Sequence, residues 1–177
     1  GLDVAVVGYP LCPEVSVADL TEAARASVPA LRAFARERHG RDLPIVVAGH
    51  SAGGHLAVEL GSTDWAARGI APAPIAGVVA LSGVYDLEPL VATSLNAALR
   101  LDRESARAAS PLHRVGAVGA PALFAVGGGE TDAFVTQNAA MAAAWRAGGH
   151  EARVEVVGDE DHFSLITRLT ERGGALE

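Results

Sequence analysis

A chain of 177 residues, half of them hydrophobic and a fifth charged, has the length of one domain and a globular rather than a disordered composition. Its net charge is −7 and its fourteen basic residues, all arginine, are scattered singly, which argues against a surface that tracks nucleic-acid phosphates or an anionic membrane. No apolar run approaches the ~20 residues of a membrane span, and no basic segment leads into an apolar one, so neither a span nor a secretory leader is expected.

A single cysteine, Cys12, excludes an intrachain disulfide and fits a reducing, cytoplasmic setting. The sequence opens Gly1-Leu2-Asp3 without Met and runs directly into residues 4–9. These are apolar, β-branched and bounded by Pro10 and Pro13, and read as a fully buried strand. Over residues 17–39 the apolar positions Val17, Leu20, Ala24, Val28, Leu31 and Phe34 recur at spacings of three and four. They predict an amphipathic helix, closed by Gly40. Residues 44–48 form a second buried strand, residues 49–54 a glycine-rich turn, and residues 55–60 a helix. Residues 75–81 give a third strand, and 86–114 a mixed, polar stretch with helical spacing only in patches. A fourth strand over 121–126 ends in Gly127-Gly128-Gly129. An Ala-rich helix over 133–147, a fifth strand over 153–157 and a last helix over 164–172 complete the chain.

Strands alternating with helices, each strand uniformly apolar, predict a mostly parallel sheet with helices on both faces. Residues 1–177 read as a single α/β domain, within which residues 84–114 form a crossover that shapes an entrance.

The sharpest feature is Gly49-His50-Ser51-Ala52-Gly53-Gly54, set between a strand and a helix. G-x-S-x-G at such a junction makes a nucleophile elbow, a turn so tight that glycine is expected two residues before and after the serine. Ser51 Oγ would stand at the carboxyl edge of the sheet, and the Ala52 N–H, opening the helix, could donate to an oxyanion. The competing reading is a glycine-rich turn whose serine caps the helix. A nucleophilic serine needs a base, and the base an orienting acid. When these follow in the order Ser, acid, His, the base falls on His162, in the loop beyond the fifth strand. The acid then falls on the loop after the fourth strand, on Glu130 or on Asp132; Glu130 is nearer the strand end, while Asp132 could cap the next helix.

The remaining candidates are weaker. His50 and His55 flank the elbow five apart, off the i, i+4 spacing of helical zinc ligands; His50 is expected beside the nucleophile and His55 along the helix, with no metal. His39, His113 and His150 read as surface residues, Trp65 and Trp145 as core or interface anchors, and Cys12 as a buried, inert thiol. No G-x-G-x-x-G or P-loop is present, and no cofactor is expected.

These motifs give the sequence a resemblance to the arylformamidase (kynurenine formamidase) branch of the α/β-hydrolases, near the hormone-sensitive-lipase-like esterases. The likeness runs from Tyr9 with Leu11-Cys12-Pro13-Glu14, where Pro10 replaces a more usual charged residue, through Gly53-Gly54-His55-Leu56-Ala57. It is most specific at Ser82-Gly83-Val84-Tyr85-Asp86-Leu87-Glu88-Pro89-Leu90 and Thr93-Ser94-Leu95-Asn96, and continues in Ser110-Pro111, residues 130–134 and Asp161-His162-Phe163. The resemblance implies an α/β-hydrolase fold and a Ser51–Glu130–His162 triad. The family's acid falls four residues before Phe134, at Glu130, although an Asp is usual there, which keeps Asp132 open.

It further implies hydrolysis of N-formyl-L-kynurenine to kynurenine and formate, with a carboxylesterase on small acyl or aryl esters as the alternative. A non-catalytic binding protein, or an inactive fragment, on a hydrolase scaffold is the alternative of another class. The implied partner is a small-molecule substrate rather than nucleic acid or membrane, and a homodimer is compatible with it. The family's His-Gly-Gly oxyanion motif precedes the strand that opens this chain, and no such motif occurs in these 177 residues. The chain is therefore expected to be the carboxyl-terminal two-thirds of a larger domain, holding the triad and part of the oxyanion hole.

Overall fold

The computed structural model describes residues 2–170. Four strands, β1 (Ile45–His50), β2 (Ile75–Leu81), β3 (Ala122–Gly127) and β4 (Ala152–Val157), pair in chain order and all in parallel. Parallel neighbours need a crossover on every step, and the helices supply it. Helix α1 (Val17–His39) precedes β1, α2 (Ala52–Gly61) joins β1 to β2, and α5 (Asp132–Ala147) joins β3 to β4. The crossover from β2 to β3 is broken into short pieces: 3₁₀ turns at Glu88–Ala92 and Pro111–His113, and the brief helices α3 (Asn96–Leu99) and α4 (Arg103–Ala109).

Local chemistry sets the ends of α1. The Ser16 hydroxyl accepts the Asp19 N–H at 3.2 Å and the Asp19 carboxylate accepts the Ser16 N–H at 3.1 Å, satisfying donors a helix start leaves open. Gly40, at φ 69°, ends the helix in the left-handed region.

The main core lies where α1, α2 and α5 cover the sheet. It joins Val28, Ala57, Val58 and Leu60 to Val47, Ile75, Val78, Phe124, Met141 and Trp145. On the opposite face a smaller cluster, Leu81, Ala125, Val157 and Leu165, gathers under the last turn. Along β1 the burial differs between faces: Val47 is buried against the main core while Val46, on the other face, is 61% exposed. This corrects the expectation of strands buried on both faces: among the described residues the second face is covered only toward its carboxyl end.

Residues 4–9 form no strand. Among the described residues they pair with none of the four, and Val4 and Val6 are 86% and 95% exposed. Apolar β-branched residues favour extended backbone, but a strand is completed by a partner that takes its N–H and C=O groups. Residues 164–170 form a 3₁₀ turn (Ser164–Thr170) instead of an α-helix, and the rest of that predicted helix, 171–172, lies outside the described residues. Among those described, no helix is long and apolar enough to cross a membrane.

Trp145 fastens α5 to the sheet. Its ring is fully buried edge-on against Phe124, with centroids 5.8 Å apart, and its indole N–H donates to the Ala120 carbonyl at 3.0 Å. Trp145→Ala is expected to lower stability by about 3–5 kcal/mol through cavity formation and the orphaned carbonyl. Denaturant midpoints check this; a loss below about 1 kcal/mol would show that α5 is held mainly elsewhere.

Candidate active site

Parallel pairing brings the carboxyl ends of all four strands to one edge, and the candidate residues follow directly from those ends. Ser51 sits between β1 and α2 at φ 55°, ψ −117°, a sparsely populated conformation that costs a side-chain-bearing residue roughly 1–3 kcal/mol. Its N–H donates across the sheet to the Leu81 carbonyl at 2.9 Å, and its C=O accepts the His55 N–H at 3.1 Å. The serine occupies the capping position, yet its hydroxyl makes no capping bond, so the simple cap reading does not describe it. A Cβ on Gly49 would lie 2.1 Å from the Gly53 carbonyl oxygen, whereas one on Gly53 would meet nothing. The tightness of the elbow thus falls on the glycine before the serine. Ala52 opens α2 and is exposed, so its N–H belongs to the first-turn donors that no intrahelical carbonyl takes.

Glu130 stands in the turn after β3 with its side chain only 1% exposed. One carboxylate oxygen, Oε2, lies 2.7 Å from His162 Nδ1. The other, Oε1, accepts the Gly127 N–H at 2.9 Å and the Ser82 hydroxyl. Asp132 is exposed in the first turn of α5, where its charge favours the helix N-terminus. Of the two candidate acids, Glu130 is therefore the one that meets His162.

The two loops can touch because residues 127–129 carry no side chains. A Cβ on Gly127 would lie 2.0 Å from the Glu160 carbonyl oxygen, and the Gly129 N–H donates to that oxygen at 3.0 Å. Asp161 shapes the His162 loop, its Oδ1 accepting the Phe163 and Ser164 N–H groups, both at 2.8 Å.

Three rings surround the His162 imidazole. His50, Phe134 and Phe163 have centroids 4.4, 4.5 and 5.4 Å away. His50 adjoins Ser51, so its contact with His162 brings the His162 loop to the elbow. Burial pushes the His50 pKa down, and the neighbouring His162 pushes it further in the same direction. A neutral His50 adds no positive charge beside His162.

His55 is buried in α2 rather than merely lying along it, and its Nδ1–H donates to the Val84 carbonyl at 2.9 Å. His150 also departs from the expected surface role: its ring packs edge-on against Trp145, and Nε2 meets the Gly116 carbonyl at 2.9 Å. Cys12 is half-buried, and burial followed by the nearby Asp19 raises its thiol pKa, which disfavours the reactive thiolate. Among the described residues Asp86, Glu88 and His113 offer ligand atoms within 4.8 Å of one another. Arg107 and Arg103, at 2.8 and 3.2 Å, already engage the Glu88 carboxylate, so the cluster fits an ion-pair network better than a cation site.

The sequence profile of the α/β hydrolase fold matches residues 1–165. The chain belongs to that family. Within the α/β hydrolases, kynurenine formamidase of Danio rerio is 30% identical over 176 residues, covering 97% of this chain and 58% of that protein. A crystallised Silicibacter protein is similar in structure with a TM-score of 0.77 and 32% identity, covering 95% of this chain and 60% of its own. A thermophilic esterase of Thermogutta terrifontis shares the fold, with a TM-score of 0.64 and 23% identity over 85% of this chain and 57% of its own. The chain therefore spans somewhat more than half the length of the curated relative it matches.

Ser82, whose hydroxyl reaches Glu130 from 48 positions away, is the site residue that sequence reasoning missed. It lies in the stretch singled out for resemblance, but nothing local marks its contact.

The buried His55 makes one pH prediction. Burial lowers its pKa from the ordinary 6.5, and among the described residues its Nε2 meets no acceptor for a second proton. The unfolded chain then binds protons more readily than the folded one, so stability is full above about pH 6.5 and falls as pH drops toward the depressed folded value. Between pH 7 and pH 5.5 wild type should lose more stability than His55→Asn, measured by denaturant midpoints. Equal slopes would show that His55 protonates alike in both states.

Proposed function

We propose that the chain carries the triad of a serine hydrolase, with Ser51 as nucleophile, His162 as general base and then acid, and Glu130 as the orienting carboxylate. The observation that carries this reading is the 2.7 Å contact between buried Glu130 and His162 Nδ1, set beside the strained Ser51 turn. With Nδ1–H donating to Glu130, His162 keeps a bare Nε2 free to act as acceptor. Ser51 Oγ attacks the acyl carbon while Nε2 takes its proton. The negative charge that develops on the carbonyl oxygen is suited to the Ala52 N–H, and the Glu130 carboxylate steadies the imidazolium. Collapse of the tetrahedral adduct expels the leaving group, which takes the proton from His162. Water, activated by the same imidazole, then hydrolyses the acyl-serine.

For substrate we infer an N-formyl aryl amine, N-formyl-L-kynurenine in the first instance. The supporting observation is the extended similarity to the zebrafish kynurenine formamidase. The leaving group would be the aniline nitrogen and the product of the second step formate.

Turnover of N-formylkynurenine should be compared with that of short p-nitrophenyl esters, using the full-length natural protein. The expected result is formamide hydrolysis that falls by a factor of about 10³ or more in Ser51→Ala. Its kcat/KM should rise with pH on the acid side as the imidazole loses its proton. Turnover confined to the esters would replace the formamidase reading with a carboxylesterase, and turnover of neither, with wild type and Ser51→Ala alike, would favour a binding protein.

A further inference from the structure

Ser82 is the buried polar group at the strand ends that the mechanism above leaves unused. It sits just beyond β2, 1% exposed, at φ 46°, the left-handed region in which a side-chain-bearing residue is uncommon. Its N–H is held by the Ala125 carbonyl of β3 at 2.8 Å, so the sheet fixes the backbone and the hydroxyl is aimed at Glu130 Oε1. We propose that Ser82 is a positioning residue for the base: its hydroxyl locks the Glu130 carboxylate in the plane that presents Oε2 to His162 Nδ1.

The proposal rests on the triad reading, and the chemistry of glutamate explains the need. A glutamate carboxylate has a long side chain, and its terminal torsion is broad. Held at one oxygen by His162 alone, it could swing and carry the imidazole with it. Gly127 N–H on Oε1, at 2.9 Å, supplies one anchor from the same turn. Ser82 supplies the second from the neighbouring strand, which a local turn cannot do. Because the Glu130 side chain is 1% exposed, bulk water is poorly placed to replace a deleted hydroxyl. Among the described residues the hydroxyl bonds to the carboxylate alone, so Ser82 acts through Glu130 and not on substrate.

The test is a double-mutant cycle in the full-length natural protein, using Ser82→Ala, Ser82→Gly, Glu130→Ala and the Ser82→Ala/Glu130→Ala pair. Both Ser82 variants lose the hydroxyl, but glycine tolerates the positive φ, so agreement between them assigns the effect to the hydroxyl and not to backbone strain. Each should lower kcat by about 10–100-fold with KM changed less than about twofold. In the Glu130→Ala background the Ser82 substitution should change kcat by less than about twofold, because its mediator is gone. A Ser82→Ala enzyme within about twofold of wild type, while Glu130→Ala is crippled, overturns the proposal and leaves the triad standing. An undiminished Ser82 effect in the Glu130→Ala background overturns it likewise. A Glu130→Ala enzyme with wild-type kcat overturns the triad reading itself, and the proposal with it.

Discussion

Four parallel strands paired in chain order oblige the polypeptide to return to the same edge of the sheet at every step. The register makes this concrete: His50 lies opposite Leu81, Leu81 opposite Ala125, and Gly127 opposite Val157. Whatever follows each strand is therefore delivered to one place. Ser51 follows β1, Ser82 follows β2, Glu130 follows β3 and His162 follows β4, although they are spread over more than a hundred positions of sequence. No one of these residues could assemble the site alone; the crossovers buried in the main core do so together.

Within that frame the site is held by satisfied polar contacts at a strained turn. Ser51 keeps its unfavourable backbone because β1, Leu81 and the first turn of α2 determine it from both sides. The Glu130 carboxylate is removed from water and met by a hydroxyl, an amide and an imidazole. A buried carboxylate without such partners would be costly. With them its position against the His162 imidazole is fixed. The glycines at 127–129 make the pair possible, since any side chain at Gly127 would drive the His162 loop away.

Much of this was legible in the sequence, and the reasons are specific. Helix α1 announces itself through apolar spacing and a terminal glycine, and strands β1 to β4 through short apolar runs between turn residues. Ser51 is readable because its motif encodes a local conformation. Glu130 and His162 are readable because strand order predicts where loops must lie, though the choice between Glu130 and Asp132 rests on a distance that spacing does not contain. Residues 4–9 look like a strand by composition, but pairing is a property of neighbours. The contacts of Ser82, the burial of His55 and the packing of His150 depend on partners 29 to 48 positions away, for which the chain carries no local mark.

The most direct test of the proposed site is the labelling of Ser51 by a fluorophosphonate, mapped by peptide mass spectrometry in wild type and Glu130→Ala forms of the full-length natural protein. The expected result is a single adduct on Ser51, formed at a rate that rises with pH and falls by about 10²-fold or more when Glu130 is removed. An unlabelled Ser51, or a labelling rate indifferent to Glu130, would contradict the assignment of these residues to a working triad.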